Sequence, residues 1–235
     1  MNSKATYEAI WERKRGGDSI PPGSRAAVAL ELLGVGEADA LALDVGCGDG
    51  ALGAALRHRF KEIHGVDISA TAIARARSQG VNAVQVNLDA EPLPYPDGMF
   101  AAVTCLDVLE HVFDPRVLVR ELARVCAPGG LLVITTPNIR YWKHILSVIG
   151  GRFPRTSSDE EGYDGGHLHY YTAANIMDLL DACFIVQHIQ GVQGGTRRGL
   201  AALLAPGRLG AEFASPGIAL AARRRERVDF DGRAL

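Results

Sequence analysis

Residues 41–50 read Leu41-Ala42-Leu43-Asp44-Val45-Gly46-Cys47-Gly48-Asp49-Gly50, and the fold turns on how this decapeptide is read. A short apolar run ends at Asp44 and Val45, and glycine then takes every second position. That order predicts a strand that stops in a turn. Glycine has no Cβ and tolerates positive φ, so such a turn lets backbone approach a ligand closely. The helical pattern over residues 51–60 would aim its first N–H groups at whatever the turn holds. Strand, glycine turn and helix together form the front of an α/β domain with a nucleotide-like cofactor.

Two glycine registers fit this stretch. Gly46-x-Gly48-x-Gly50 is the spacing of S-adenosylmethionine (SAM) binders, whereas Gly48-x-Gly50-x-x-Gly53 has the form of the dinucleotide fingerprint. A dinucleotide loop begins where its strand ends. Starting it at Gly48 would extend the strand through Gly46 and Cys47, and glycine is a poor strand residue. The SAM register uses all three glycines and gives Asp44 a role at the strand end, either reaching the methionine ammonium or ordering the loop. The plainer alternative is a glycine turn with Asp49 as helix cap.

Two more acids follow in the same phase. Residues 63–66 read as a second strand with Asp67 at its carboxyl end, about 20 residues past the glycine loop, where an acid accepts from ribose hydroxyls. Its blander role is as a helix cap, in competition with Ser69. Ile68 would lie beside the adenine. A third strand, 83–86, leads to Asp89, placed to accept from the adenine amine. Ligands of open α/β sheets collect at this edge.

With these motifs the chain resembles the class I SAM-dependent methyltransferases. The likeness continues through Pro94-Tyr95-Pro96-Asp97-Gly98-Met99-Phe100 to Val112 and through Leu122 to Asn138, which includes Pro128-Gly129-Gly130. It is strongest over residues 40–140 and is nearest the subgroup of ubiquinone-pathway O-methyltransferases and MetW-like proteins. The resemblance implies a Rossmann-like, doubly wound α/β sheet of seven mostly parallel strands, the last antiparallel, with helices on both faces. It also implies a cofactor set of Asp44, Gly46, Cys47, Gly48, Gly50, Asp67, Ile68, Leu88, Asp89 and Leu106.

The chain has 235 residues, enough for one domain with a sizeable core, and a formal charge of −2 that provides no basic field for nucleic acid. The four cysteines show no C-x-x-C or metal spacing, which suits reduced thiols in a cytoplasmic protein. No apolar run approaches the roughly 18 residues of a membrane span, and the first residues lack a signal core. Strand patterns fall at 40–45, 63–66, 83–86, 101–106, 131–135, 184–192 and 216–222. Helical patterns fall at 6–14, 25–33, 51–60, 70–79, 115–125, 141–149 and 173–182, with Ser24 and Thr172 as caps. Such alternation implies a parallel sheet. The expected organisation is a single domain: N-terminal helices or lid at 1–38, cofactor core at 39–138, lid and acceptor insert at 139–172, and the rest of the sheet at 173–235. Residues 150–166 read as a mobile polar loop and 196–209 as partly helical, broken at Pro206 and Gly207. Arg223, Arg224, Arg225 and Arg227 read as a solvated basic tail.

A sulfonium methyl is already electrophilic, so the protein must align the acceptor, exclude water and take a proton. Candidate bases are His111, His167 and His169. Tyr7, Trp11, Trp142, Tyr170 and Tyr171 are candidate acceptor walls. The resemblance also implies an option in which Asp107, Glu110 and His111 hold a divalent cation such as Mg²⁺; a metal-free pocket is the preferred expectation. The acceptor would be a small molecule or a glycan or lipid conjugate, most simply methylated at a hydroxyl, and the protein a monomer or homodimer. Nucleic-acid methylation usually needs Asn/Asp-Pro-Pro-aromatic after the fourth strand, where this chain has Asp107-Val108-Leu109-Glu110. The rival reading from the resemblance is a MetW-like activating subunit of methionine biosynthesis that transfers no methyl itself.

Overall fold

The computed structural model describes residues 3–14, 20–157, 164–192 and 213–228. The core is a seven-stranded sheet of β1 (Glu37–Val45), β2 (Phe60–Asp67), β3 (Asn82–Gln85), β4 (Phe100–Leu106), β5 (Cys126–Pro137), β6 (Phe184–Val192) and β7 (Gly217–Arg224), in the order β3-β2-β1-β4-β5-β7-β6. Strands β1 to β5 pair in parallel, and β7 runs antiparallel to both β5 and β6. The order reverses between β1 and β4, which opens the ligand crevice at the carboxyl ends of those two strands.

Alternation along the strands feeds two cores. Leu43, Val45, Val103, Cys105, Leu132 and Ile134 face α5 (Pro115–Val125) and α7 (Ala173–Leu180), which bring Leu118, Val119, Leu122, Ile176 and Leu180. Ala42, Ala102, Val133 and Ala221 face the other way, toward α2 (Arg25–Leu33), α3 (Ala51–Leu56) and α4 (Ala70–Ser78). The helix starts follow their caps. Ser24 accepts from the Ala27 N–H, Ser69 from Ala72, Asp114 from Arg116, and Thr172 forms a capping box with Asn175. Helix α1 (Ser3–Arg13) packs on α4, and α6 (Trp142–Ile149) buries no residue fully. No helix among the described residues is long and apolar enough to cross a membrane.

Three expectations change. The helix after the glycine turn stops at Leu56, because Phe60 is buried and already pairs with Glu37 in β2. The fifth strand, expected at 131–135, runs from Cys126 to Pro137 and so takes in Pro128-Gly129-Gly130, where the register with β4 jumps between Phe100–Cys126 and Ala102–Leu131. The basic tail is only partly solvated, with Arg224 buried and Arg223 and Arg227 exposed. Arg223 and Arg224 belong to β7, Arg223 donates to the Gly129 carbonyl at 3.0 Å, and Arg225 bonds Asp181 Oδ1 at 3.0 Å. The expected broken helix at 196–209 lies outside the described residues.

Candidate active site

The glycine loop closes on the end of β2. The N–H groups of Gly46 and Cys47 both donate to the Val66 carbonyl, at 2.8 and 2.9 Å. Gly48 N–H donates to Asp67 Oδ2 at 3.0 Å, while Ser69 N–H donates to Oδ1 at 2.9 Å. Asp67 therefore ties the loop to the start of α4. Gly46 and Gly48 sit at φ +74° and +54°. A Cβ on Gly46 would lie 2.3 Å from Val108 Cγ2, and one on Gly48 would lie 2.5 Å from Trp11 Cζ2. Both positions require glycine for conformation and for space.

Behind the loop, buried Asp44 accepts from the Thr104 hydroxyl at 2.6 Å. Burial pushes its carboxyl up to about 7, against the Thr104 bond and with a further push from Asp67. Asp89 accepts the Phe113 N–H at 2.7 Å and so joins the loops that follow β3 and β4.

These elements wall a cavity of about 280 Å³, close to the lower end of the range for small-molecule sites. Gly46, Asp67, Ile68, Leu88 and Asp89 line one side. Helix α1 roofs it with Tyr7, Ile10, Trp11 and Lys14. The helix is held by Glu8, whose carboxylate accepts the N–H groups of Ala70 and Thr71 at 2.8 and 2.9 Å and also the Thr71 hydroxyl. An acid at the α4 N-terminus satisfies donors that a helix leaves open.

The far wall carries His111 and His167, with ring centroids 4.7 Å apart, and the Tyr7 ring meets His111 edge-on at 5.5 Å. His167 Nδ1 lies 2.7 Å from the Thr156 hydroxyl, which bonds Asp164 Oδ2 at 2.7 Å. Glu110 is buried beneath, with Oε2 accepting from Thr136 at 3.2 Å and Oε1 lacking a hydrogen-bond partner. Burial raises its carboxyl to about 7, opposed by the bonds from its own N–H and Thr136 and by Arg25. Arg25 itself pairs with Asp107 on the cavity wall.

The family described as "Methyltransferase domain" matches residues 43–134. Over 162 residues the chain is 30% identical to the ubiquinone biosynthesis O-methyltransferase of Psychrobacter arcticus, covering 64% of this chain and 61% of the relative. A protein of the same name from Xanthomonas oryzae is 34% identical over 121 residues, 49% of this chain and 51% of its own. The match thus spans between half and seven tenths of these curated relatives. Residues 43–134 are thus similar to the methyltransferase-domain family, and the same stretch carries the glycine loop. Among solved structures, the SAM-dependent methyltransferase of Mesorhizobium loti superposes with TM-score 0.61 at 19% identity, over 86% of this chain and 99% of that one. The [4+2]-cyclase SpnF also superposes with TM-score 0.61, at 21% identity over 92% and 86% of the two chains. Likeness at that level shows the fold alone.

Within this fold, Gly46, Asp67, Ile68, Leu88, Asp89, Tyr7, Trp11, His111 and His167 line one cavity, and Gly48 and Gly50 belong to the loop beside it. Of the remaining candidates only Asp107 lines it. Asp44 supports the loop from behind. Cys47 packs against Gly65 with burial pushing its thiol far up, and Leu106 packs against the same apolar face. His169 turns Nε2 to the carbonyls of Val112 and Phe113, at 3.0 and 3.3 Å, and braces the loop. Tyr171 is a core residue whose hydroxyl donates to the Leu109 carbonyl at 3.4 Å, Tyr170 packs on Phe153, and Trp142, the first residue of α6, meets the Tyr141 ring edge-on. Asp107 is engaged by Arg25 and by the Thr135 hydroxyl at 2.6 Å. The group of three possible metal donors among the described residues is instead Glu110, His111 and His167, with ligand atoms within 4.8 Å of one another. Arg25, Thr156 and Asp164 escaped the sequence reading. Of these only Asp164 left a signal, the Gly165-Gly166 pair that follows it.

Proposed function

We propose that this methyltransferase transfers a methyl group from SAM to a hydroxyl of a small organic acceptor, and that the His111–His167 pair receives the acceptor's proton. One observation carries the reading. Gly46, Asp67, Ile68, Leu88 and Asp89 line the same cavity as two histidines, His111 and His167. The names of the curated relatives, O-methyltransferases, support oxygen as the acceptor atom.

The residues present suit SAM. Gly46 and Gly48 leave no room for a Cβ against Val108 and Trp11, and Asp67 and Asp89 are among the residues that line the cavity. When bound, SAM supplies an electrophilic methyl on its sulfonium. Asp67 would accept from the ribose hydroxyls, while Ile68 and Leu88 would hold the adenine between apolar side chains. Trp11 and Tyr7 roof the cavity and exclude water, which favours transfer to the acceptor over side reactions. Imidazole titrates near neutral pH and suits a base for a hydroxyl proton.

The test is transfer of labelled methyl from SAM into fractionated extract, separated into small molecules, lipid, polysaccharide, RNA and protein, with and without Mg²⁺. Label in a small-molecule or lipid fraction that does not depend on Mg²⁺, and that falls at least about tenfold in His167→Ala or His111→Ala, is the expected outcome. SAM binding with no label in any fraction would refute it.

A further inference from the structure

The cavity wall carries an ion pair that the proton transfer does not use. Arg25, the first residue of α2, and Asp107, the first residue past β4, both line the cavity, and Arg25 Nη1 pairs with Asp107 Oδ2. The Thr135 hydroxyl donates to Asp107 Oδ1 at 2.6 Å, so both carboxylate oxygens are engaged. Asp107 sits at φ +52°, left-handed geometry that is costly outside glycine and gathers at functional sites. The pair fixes the guanidinium at the wall while the Arg25 side chain stays 52% exposed. Nη1 is spent on Asp107, and Nε and Nη2 have no hydrogen-bond partner among the described residues. A guanidinium has five N–H donors in a fork that matches a carboxylate, so most of its capacity is left over.

The strand order says which part of the cofactor this guanidinium meets. Along the sheet edge the strands run β3, β2, β1, β4. Leu88 and Asp89 follow β3, Asp67 and Ile68 end β2, Gly46 follows β1, and Asp107 follows β4. Val108, next to Asp107, puts Cγ2 where a Cβ on Gly46 would fall, so the ion pair stands beside the first glycine of the loop. With adenine between Ile68 and Leu88 and ribose at Asp67, the rest of SAM runs over the glycine loop toward β4, two strand spacings or about 10 Å away. Its methionine end, a zwitterion, arrives where two opposite charges stand. Asp44, expected to reach the methionine ammonium, is instead buried on Thr104 and does not line the cavity. Lys14 also lines the cavity, from the roof helix, with its ammonium over the Trp11 ring. We infer that Arg25 anchors the α-carboxylate of SAM with the guanidinium donors that Asp107 leaves open, and so fixes where the sulfonium stands.

Arg25 holds this role only in a cavity that binds SAM, and one calorimetric series separates the two points without an acceptor. The probes are SAM and decarboxylated SAM, which keeps the adenosine, the sulfonium and the amine and lacks the carboxylate. Each is titrated into the full wild-type chain, Arg25→Ala and Arg25→Lys. The wild type is expected to prefer SAM by about ten- to a hundredfold, the range of a hydrogen bond between charged groups. Arg25→Ala is expected to lose that preference, because SAM binds more weakly while decarboxylated SAM, relieved of a repelling guanidinium, binds at least as well as before. Retained binding of the second probe also shows that the variant is folded. Arg25→Lys keeps the charge without the fork and is expected to regain part of the preference. A wild type that binds both probes alike, or an Arg25→Ala protein that prefers SAM as strongly as the wild type, would overturn the inference and leave the guanidinium for an anionic group of the acceptor. A wild type that binds neither probe would overturn the SAM reading of the cavity, and the anchor with it.

Discussion

Replacing Glu110 by glutamine is expected to stabilise the protein at pH 8 and to do little at pH 5. The side chain is 1% exposed, Oε1 has no hydrogen-bond partner, and burial carries the carboxyl from 4.5 up to about 7. Between those values the native protein holds a proton that the unfolded chain releases, so stability falls as pH rises through this window. At about 1.4 kcal/mol per pKa unit, the ionised group costs the native state roughly 3 kcal/mol at pH 8 and under about 1 kcal/mol at pH 5. Glutamine keeps the shape and an acceptor for the Thr136 hydroxyl, and the backbone bonds from Leu168 and His169 to the residue's carbonyl are untouched. Asp44, raised to about 7, destabilises in the same direction, but it does so in both proteins and cancels in the difference. Urea denaturation of both proteins at pH 5 and pH 8, without SAM, reads the effect. The wild type should lose about 2 kcal/mol more than Glu110→Gln between the two pH values. Parallel losses would show that Glu110 does not titrate in this window, and the burial argument would fall.

Two further outcomes concern the cofactor wall. Asp67→Ala removes the acceptor for Gly48 N–H and, with it, the proposed ribose contact, and calorimetry should show SAM binding weakened by on the order of 1.5–3 kcal/mol; an unchanged affinity would take Asp67 out of the site. Gly46→Ala forces a Cβ to 2.3 Å from Val108 at φ +74°, so thermal unfolding should report a loss of about 1–3 kcal/mol together with weaker SAM binding. A variant as stable as the wild type would mean that the loop relaxes without strain.

Local chemistry carried the front half of the molecule. Glycine at alternate positions, acids at successive strand ends and the strand–helix alternation are short-range signals, and all seven predicted strands are present. Caps such as Ser24 and Thr172 were legible for the same reason, since a hydroxyl before a helical run bonds within three residues. The far wall was not legible. His167 and His169 are two residues apart, yet one lines the cavity and the other binds the carbonyls of Val112 and Phe113. Tyr170 and Tyr171 look alike in sequence, but Tyr171 lies in the core. Which way each side chain turns is set by packing against the loop after β4, more than fifty residues away. The pairing of Asp107 with Arg25 and the chain from Asp164 through Thr156 to His167 likewise depend on segments that meet only after folding. The sequence by itself determined the sheet, the cofactor loop and the edge where ligands gather, because these follow from backbone conformation and spacing. Tertiary structure alone decided which histidine lines the cavity and which binds the loop after β4, because these depend on contacts between residues distant in the chain.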